Sequence, residues 1–254
     1  MFERPAMSKA TVVIPFYNEE HRLSVGALKE FFFMIDCCVL LVDDGSHDDT
    51  RNILLRLSQD NSKVSVLHID ENGGKANAIR LGMLNAIENG STHVGVSDAD
   101  LSFSVSDMNM ALSLSSGLLY DVTSGARVQL AGGSVKRPAI RQWVGRIIAT
   151  FISTITSVPM YDTQSPCKFY LVSKDLKNAL SLRFATRWFG EAELLMRLRA
   201  YSCQTQGSLR VKEFVLEEWS DISGGHLSVK SFFVILADLA RLVKAKLNLS
   251  FYSN

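Results

Sequence analysis

Apolar runs rich in β-branched residues recur through the first part of the chain: Thr11 to Phe16 (TVVIPF), Cys38 to Val42 (CVLLV), Val64 to Ile69 and Val94 to Val96. Between them lie longer segments of helical character, Glu20 to Phe32, Asp48 to Gln59 and Lys75 to Glu88. Apolar runs of this length read as strands buried on both faces, and the amphipathic segments between them read as helices. The alternation predicts βαβ crossovers and a mainly parallel sheet covered by helices, an α/β architecture. In such sheets ligands bind beyond the carboxyl ends of the strands. The segments that follow each strand are therefore where chemistry is expected.

After the first strand comes Pro15-Phe16-Tyr17-Asn18-Glu19-Glu20. Proline ends the strand and Asn18 is a good cap for a following helix, while Tyr17 and Glu19 suit a base or ribose at the sheet edge. After the second strand, Asp43-Asp44-Gly45-Ser46 leads into Asp48, Asp49 and Thr50. Gly45 permits a tight turn and Asp48 a helix cap; a carboxylate receiving the N3–H of uracil is the functional alternative. After the third strand, Asn72-Gly73-Gly74-Lys75 offers backbone N–H groups and an ammonium to an anion at a helix start, or else is a flexible junction with a solvated lysine. The Walker spacing is absent.

The fourth strand ends in Ser97-Asp98-Ala99-Asp100. Continued as an extended strand, this stretch would point both carboxylates to one side. Mg²⁺ or Mn²⁺ accepts that arrangement, since Mg²⁺ is typically held by one or two carboxylates with water and substrate phosphates filling the rest of its shell. An isolated D-x-D is short enough to be two solvated aspartates.

Composition adjusts this picture only slightly. At 254 residues the chain fits one large α/β domain or two small ones. Its formal net charge of +1 gives no global signal for nucleic acid, so any electrostatic preference must come from local clustering. Cys37, Cys38, Cys167 and Cys203 form no C-x-x-C pair and read as reduced core thiols of a cytosolic protein. No N-terminal apolar signal region is present, and no run reaches the roughly 18 apolar residues of a membrane span. The expectation is a cytoplasmic protein, with a peripheral place on the cytoplasmic membrane face as an option.

Clustering appears in the second half. Between Asp121 and Asp162 there is no acidic residue, yet Arg127, Lys136, Arg137, Arg141 and Arg146 all fall there. The run continues into the uncharged, mostly apolar Ile147 to Tyr161. Basic residues beside an apolar segment suit a phosphate-headed lipid or an anionic membrane surface, with a solvated face and a core helix as the competing readings. Asp162 and Gln164 follow, two apart, fit to position acceptor or sugar, or to form a polar turn with Pro166. Glu191, near Trp188, is the stronger candidate for contacting a sugar, whereas Glu193 and Arg197 at i, i+4 read as a surface pair. From Ser228 to Leu247 the pattern is amphipathic, with Lys230, Asp238, Arg241 and Lys244 along one side.

In this order and spacing, VVIPFYNEE, LLVDDGSHDDT, NGGKANAIRLGM and VSDADL closely resemble the inverting family 2 glycosyltransferases of GT-A fold. The resemblance implies a nucleotide-sugar donor with Pro15, Tyr17, Asn18, Glu19, Asp43, Asp44 and Ala99 around it, Lys75 near its binding loop, and Mg²⁺ or Mn²⁺ at Asp98 and Asp100. Downstream, DVTSGARV, YDTQSPCKFYLV, FATRWFGEAELL and VLEEWSDISGGHLS resemble the dolichyl- and polyprenyl-phosphate glucosyltransferases. Two departures stand out: Ser165-Pro166-Cys167-Lys168 where the family usually has Cys-Gly-Phe-Lys, and Glu191 where it has Asp. Most members also carry membrane helices, for which this chain has no candidate.

The expectation is a single GT-A domain: residues 1–101 for the nucleotide sugar, 102–225 for the acceptor, and 226–254 a C-terminal amphipathic helix. The expected activity is transfer of a hexose, most simply glucose from UDP-glucose, to a polyprenyl phosphate, with Asp98, Asp100, Asp162, Gln164, Glu191 and Arg127 as the reacting-centre set and Arg127, Arg137, Arg141 and Trp188 for the acceptor. A hydroxyl acceptor, with Asp162 or Glu191 as base, and a non-catalytic nucleotide-sugar-binding module are the alternatives.

Overall fold

A computed structural model describes residues 9–129, 134–136, 149–220 and 229–250. A seven-stranded sheet forms its centre, built from β1 (Ala10–Phe16), β2 (Cys38–Asp44), β3 (Val64–Ile69), β4 (His93–Val96), β5 (Val122–Ala126), β7 (Lys168–Leu171) and β8 (Val211–Val215). Its order is β3-β2-β1-β4-β7-β5-β8. The first four strands are mutually parallel, as the alternation predicts; β7 runs antiparallel to both β4 and β5, and β8 is parallel to β5. A two-stranded parallel ribbon joins β6 (Ser134–Lys136) to β9 (Glu218–Ser220).

Helices cover both faces, and strand alternation decides which residue meets which layer. Val12, Ile14 and Phe16 of β1 pack with Leu28, Phe31 and Phe32 of α1 (Val25–Met34), Leu54 of α2 (Thr50–Gln59) and Met108 of α4 (Val105–Ser116). Val13, from the opposite face, packs with Ile79 and Met83 of α3 (Lys75–Glu88), Leu176 of α5 (Lys174–Ser181) and Leu194 of α6 (Gly190–Thr205). This period-2 division between two apolar layers is what a doubly covered sheet requires.

Contact of α3 with the sheet is close at Gly82, where an added Cβ would collide with Val13 Cγ1 and lie 2.8 Å from Val42 Cγ2. Gly82→Ala should therefore destabilise the fold by about 1–3 kcal/mol even though alanine favours helix, because overpacking outweighs propensity. Denaturant titration reads this directly, and a gain in stability would mean that α3 sits further from β1 than described.

Several local expectations are corrected. The first helix begins at Val25 rather than Glu20, and its N-cap is Ser24, whose Oγ accepts from the Ala27 N–H, rather than Asn18. Asn18 instead takes a left-handed conformation, φ 50°, and its Oδ1 accepts from the His47 N–H at 2.9 Å. The second helix starts at Thr50, with Asp48 folding back to accept from the Thr50 N–H at 3.0 Å. Glu193 is not a surface residue: it is fully buried, accepting from the Ala185 and Thr186 N–H groups and pairing with Arg197 at 2.6 Å. The apolar run before Tyr161 is helical over 149–156, and Ile152 and Ile155 pack into a core cluster with Phe189 and Met196, so its described part behaves as core.

Among the cysteines, Cys37 and Cys167 are buried but Cys38 and Cys203 are exposed, so the core-thiol expectation holds for half of them. All four are free, and burial pushes the Cys37 thiol up to about 12, which keeps it protonated. The C-terminal α7 (Val229–Ser250) packs through Leu242, Leu239 and Ile235 on Ala192 and Met196 of α6. Asp238, expected on the polar side of this helix, is fully buried. No helix among the described residues is long and apolar enough to cross a membrane.

Candidate active site

Parallel pairing brings the carboxyl ends of β1, β2, β3 and β4 to one edge of the sheet, and the loops that leave them interlock there. From the first loop, the Glu19 N–H donates to Thr50 Oγ1 at 2.9 Å and the Glu20 N–H to Asp48 Oδ2 at 3.2 Å; in return the Asp49 N–H donates to Glu20 Oε2 at 3.1 Å. The turn after β2 then abuts the loop after β3. Gly45, at φ 70°, leaves no room for a Cβ, which would stand 2.8 Å from the Asn72 nitrogen.

These loops wall a cleft of about 790 Å³. Pro15, Tyr17 and Glu19 line it from the first loop, with Asp44 from the end of β2, Lys75 from the start of α3, and Asp98, Ala99 and Asp100 from the turn after β4. Trp188, 63% exposed, faces it with its neighbour Arg187. Eight donor-side expectations and one acceptor-side expectation therefore converge on one space. Asn18 and Asp43 do not line it. Asp43 is fully buried, accepting from the Ser46 N–H at 3.1 Å and lying 2.8 Å from His68 Nδ1.

Two details of this lining differ from the sequence reading. The loop glycines do not offer their N–H groups to an anion: Gly73 and Gly74 donate to the Asp44 carboxylate at 3.0 and 2.8 Å, and Asn72 Nδ2 adds a third bond at 3.0 Å. Burial raises the Asp44 pKa while the two glycine N–H groups oppose that rise. Asp44 thus organises the loop from inside. The second detail is that β4 stops at Val96, so Asp98 and Asp100 belong to a turn closed by the Leu101 N–H on the Asp98 carbonyl, with Leu101 at φ 49°. The turn, not strand alternation, carries both carboxylates into the cleft.

Lys75 Nζ stands 2.5 Å from Asp98 Oδ1. Burial lowers the affinity of this ammonium for its proton, but the Asp98, Glu191 and Asp100 carboxylates more than offset it, so its pKa lies above that of ordinary lysine. Burial also raises Glu19, opposed by Arg22 and reinforced by Asp100 and Asp48. The cleft is therefore a place where carboxylates crowd and a cation is drawn in. Asp98 and Asp100 offer a hard divalent ion the oxygen donors it takes, and an ion there would displace Lys75 from Asp98 Oδ1. No third His, Cys, Asp or Glu completes a ligand cluster among the described residues, so water and phosphate oxygens would supply the remainder, as Mg²⁺ prefers.

Behind the cleft lies a second charged network that the sequence pattern did not foretell. Lys168, wholly buried, donates to Glu191 Oε2 at 2.7 Å and to the Ser165 carbonyl. Glu191 is thus occupied by a partner and does not line the cleft. Further along, Arg127 grips Asp162 through Nε at 2.6 Å and Nη2 at 2.8 Å, donates to the Gln164 carbonyl at 3.0 Å, and lies 4.8 Å from the Trp219 ring centroid. Burial raises Asp162, but the Arg127 guanidinium and Lys168 pull it below the usual carboxylate range.

Asp162, Gln164 and Arg127 are consequently brought together with one another and not with the cleft. Arg127, expected to meet an acceptor phosphate, here directs its fork at a carboxylate thirty-five residues away in sequence. Arg137 and Arg141 lie outside the described residues. Arg187 is a cleft residue that sequence reasoning passed over. It lines the cleft, donates to Asn72 Oδ1 at 3.3 Å and crowds the Gly74 backbone; its only sequence signal was adjacency to Trp188.

The sequence matches the family described as Glycosyl transferase family 2 over residues 11–188. It is similar to the dolichyl-phosphate beta-glucosyltransferase ALG5D of Trichomonas vaginalis, 27% identical over 259 residues that cover 95% of this chain and 75% of the relative. Among solved structures it is similar to the mannosyltransferase PcManGT of Pyrobaculum calidifontis, in complex with GDP-Man and Mn²⁺, at TM-score 0.60 and 14% identity, covering 92% of this chain and 62% of that one. Glucosyl-3-phosphoglycerate synthase of Mycobacterium tuberculosis, in complex with Mg²⁺ and uridine-diphosphate, superposes at TM-score 0.60 and 18% identity, covering 92% and 79%. These structures share the GT-A fold with the chain.

Proposed function

The chain belongs to glycosyl transferase family 2, and from that premise we propose that it transfers glucose from UDP-glucose to a dolichyl or other polyprenyl phosphate, with inversion at the anomeric carbon. The observation that carries the proposal is the convergence of Asp98, Asp100 and Lys75 in one cleft with Tyr17 and Glu19. Tyr17 and Glu19 would hold the nucleoside, and Asp98 and Asp100 would hold Mg²⁺ or Mn²⁺. The ion's contribution would be to neutralise charge on the departing diphosphate, the main electrostatic demand of glycosyl transfer from such a donor. Lys75 would supply further positive charge to the same oxygens.

The similarity to dolichyl-phosphate beta-glucosyltransferases supports the lipid-phosphate acceptor and glucose as the sugar. So does the chemistry of the candidate bases. A phosphate oxygen is already anionic at neutral pH and needs no base, whereas a hydroxyl acceptor does. Asp162, with its lowered pKa and its clasp on Arg127, is a poor proton acceptor, and Glu191 is held by Lys168. Trp188 offers an exposed ring beside the cleft for sugar or lipid. A peripheral place at the cytoplasmic membrane face belongs to the same proposal.

Incubation with labelled UDP-glucose, UDP-galactose or GDP-mannose and Mg²⁺ or Mn²⁺, each with and without polyprenyl phosphate, tests it. Label should enter the lipid fraction from UDP-glucose only when metal and polyprenyl phosphate are both present. Transfer to a saccharide or protein hydroxyl with none to lipid would replace the acceptor assignment.

A further inference from the structure

The C-terminal helix reaches into the cleft wall through one buried carboxylate. Asp238 of α7 is fully buried, and its Oδ2 accepts from two consecutive backbone N–H groups, Arg187 at 2.9 Å and Trp188 at 2.7 Å. Its other oxygen receives Arg241 Nη1 at 2.7 Å. A buried carboxylate is costly unless its oxygens are filled, and here the filling comes mainly from the backbone of the cleft wall. Arg187 carries the connection onward, donating to Asn72, which itself donates to Asp44 beneath the glycine loop. An unbroken polar path thus runs from α7 to the Asp44 end of the cleft.

We propose that Asp238 is a positioning residue that sets the Arg187–Trp188 wall, and through Arg187 the 72–74 loop, in the geometry that receives the donor. The assignment rests on the reading of this cleft as the donor site. It gives α7, which lies beyond the residues matched by the family, a part in donor binding that packing alone would not give it. Asp238 touches no substrate; its effect passes through the backbone it holds.

The variants separate this role from general destabilisation. Asp238→Ala removes all three accepted bonds, whereas Asp238→Asn keeps one acceptor oxygen for the two N–H groups and lets the half-exposed Arg241 side chain turn to solvent. Arg241→Ala removes the counter-charge alone. Leu112→Ala in α4, in a different part of the core, serves as the control for lost stability. Hydrogen exchange should accelerate over residues 184–190 and 71–77 in Asp238→Ala, less in Asp238→Asn, and not in Leu112→Ala.

UDP affinity by calorimetry should fall roughly tenfold in Asp238→Ala, the size of one lost charge-assisted hydrogen bond, and by less in Asp238→Asn and Arg241→Ala. Exchange over 184–190 that is unchanged, or that rises equally in Leu112→Ala, overturns the proposal. So does faster exchange with UDP affinity like wild type. Should the wild-type protein itself fail to bind UDP, the donor reading falls, and the exchange pattern alone decides whether Asp238 holds this wall. If Asp238→Ala does not fold, Asp238→Asn carries both measurements.

Discussion

Asp100→Ala is expected to lower metal-dependent transfer by roughly 100-fold or more while leaving the protein folded. Electrostatic stabilisation of a leaving diphosphate by a bound ion is worth several kcal/mol, and each 1.4 kcal/mol or so is about tenfold in rate. Structural cost should be small, because Asp100 is exposed and its described hydrogen bond is one from the Ser102 N–H at 3.2 Å. Surface changes of this kind usually stay within about 0.5 kcal/mol. Mn²⁺ binding measured by electron paramagnetic resonance in the presence of UDP should weaken in parallel, which ties the loss to the ion rather than to misfolding. Turnover and Mn²⁺ affinity both like wild type would remove Asp100 from the metal site.

Asp98→Ala differs in one respect. It also releases Lys75 from its 2.5 Å ion pair, so it changes the charge of the cleft even without metal. Comparing the two variants separates ion binding from placement of the lysine. Asp100 should show the cleaner metal phenotype, and Asp98 should additionally alter the affinity for UDP in metal-free buffer.

What the sequence made legible was local. Four strands and the helices between them followed from runs of a few residues, because a parallel strand buried on both faces must be apolar throughout and the loop at its carboxyl end is free to be polar. Tyr17, Glu19, Asp44, Lys75, Asp98 and Asp100 meet in one cleft for that reason. Illegible features depend on partners distant in the chain. Asn18 looked like a helix cap because nothing in its neighbourhood shows that His47 will take its side chain. The glycine loop looked like an anion cradle because Asp44, which consumes its N–H groups, precedes it by a whole helix and strand.

The same limit governs the second half. An acid-free stretch of basic residues suggested a phosphate site, since charge counts along a chain carry no information about which carboxylate returns to meet an arginine. Asp162 returns to Arg127, and β7 inserts antiparallel between β4 and β5 to bring them together. Asp238 was placed on a polar face by helical periodicity, which assigns faces but cannot foresee that the opposing surface offers backbone N–H groups.

Arg127→Ala should be among the most destabilising single changes in the molecule, about 3–5 kcal/mol, because it strands the buried Asp162 carboxylate. For a chain of this size that lowers Tm by about 2–4 °C per kcal/mol. The loss must depend on pH with a definite sign. In the wild-type protein burial would raise Asp162, but Arg127 and Lys168 hold it below the usual carboxylate range. Its stabilising contribution is therefore complete above the unfolded aspartate value and drains away as pH falls through the depressed folded one. Without Arg127, burial dominates and Asp162 takes up a proton more readily in the folded state than wild type does. The gap in stability between wild type and Arg127→Ala should accordingly be widest near neutral pH and narrow on acidification, beginning above the roughly pH 4 of a free aspartate, where the buried Asp162 of the variant takes up its proton, and continuing down through the depressed wild-type value. Adding Asp162→Ala should restore part of the stability at neutral pH, since two absent charges cost less than one stranded charge. Urea titrations of wild type, Arg127→Ala and the double variant at neutral and acid pH measure all of this. A gap that stays constant with pH, or a double variant no better than Arg127→Ala, would show that Arg127 stabilises through its stacking on Trp219 rather than through Asp162.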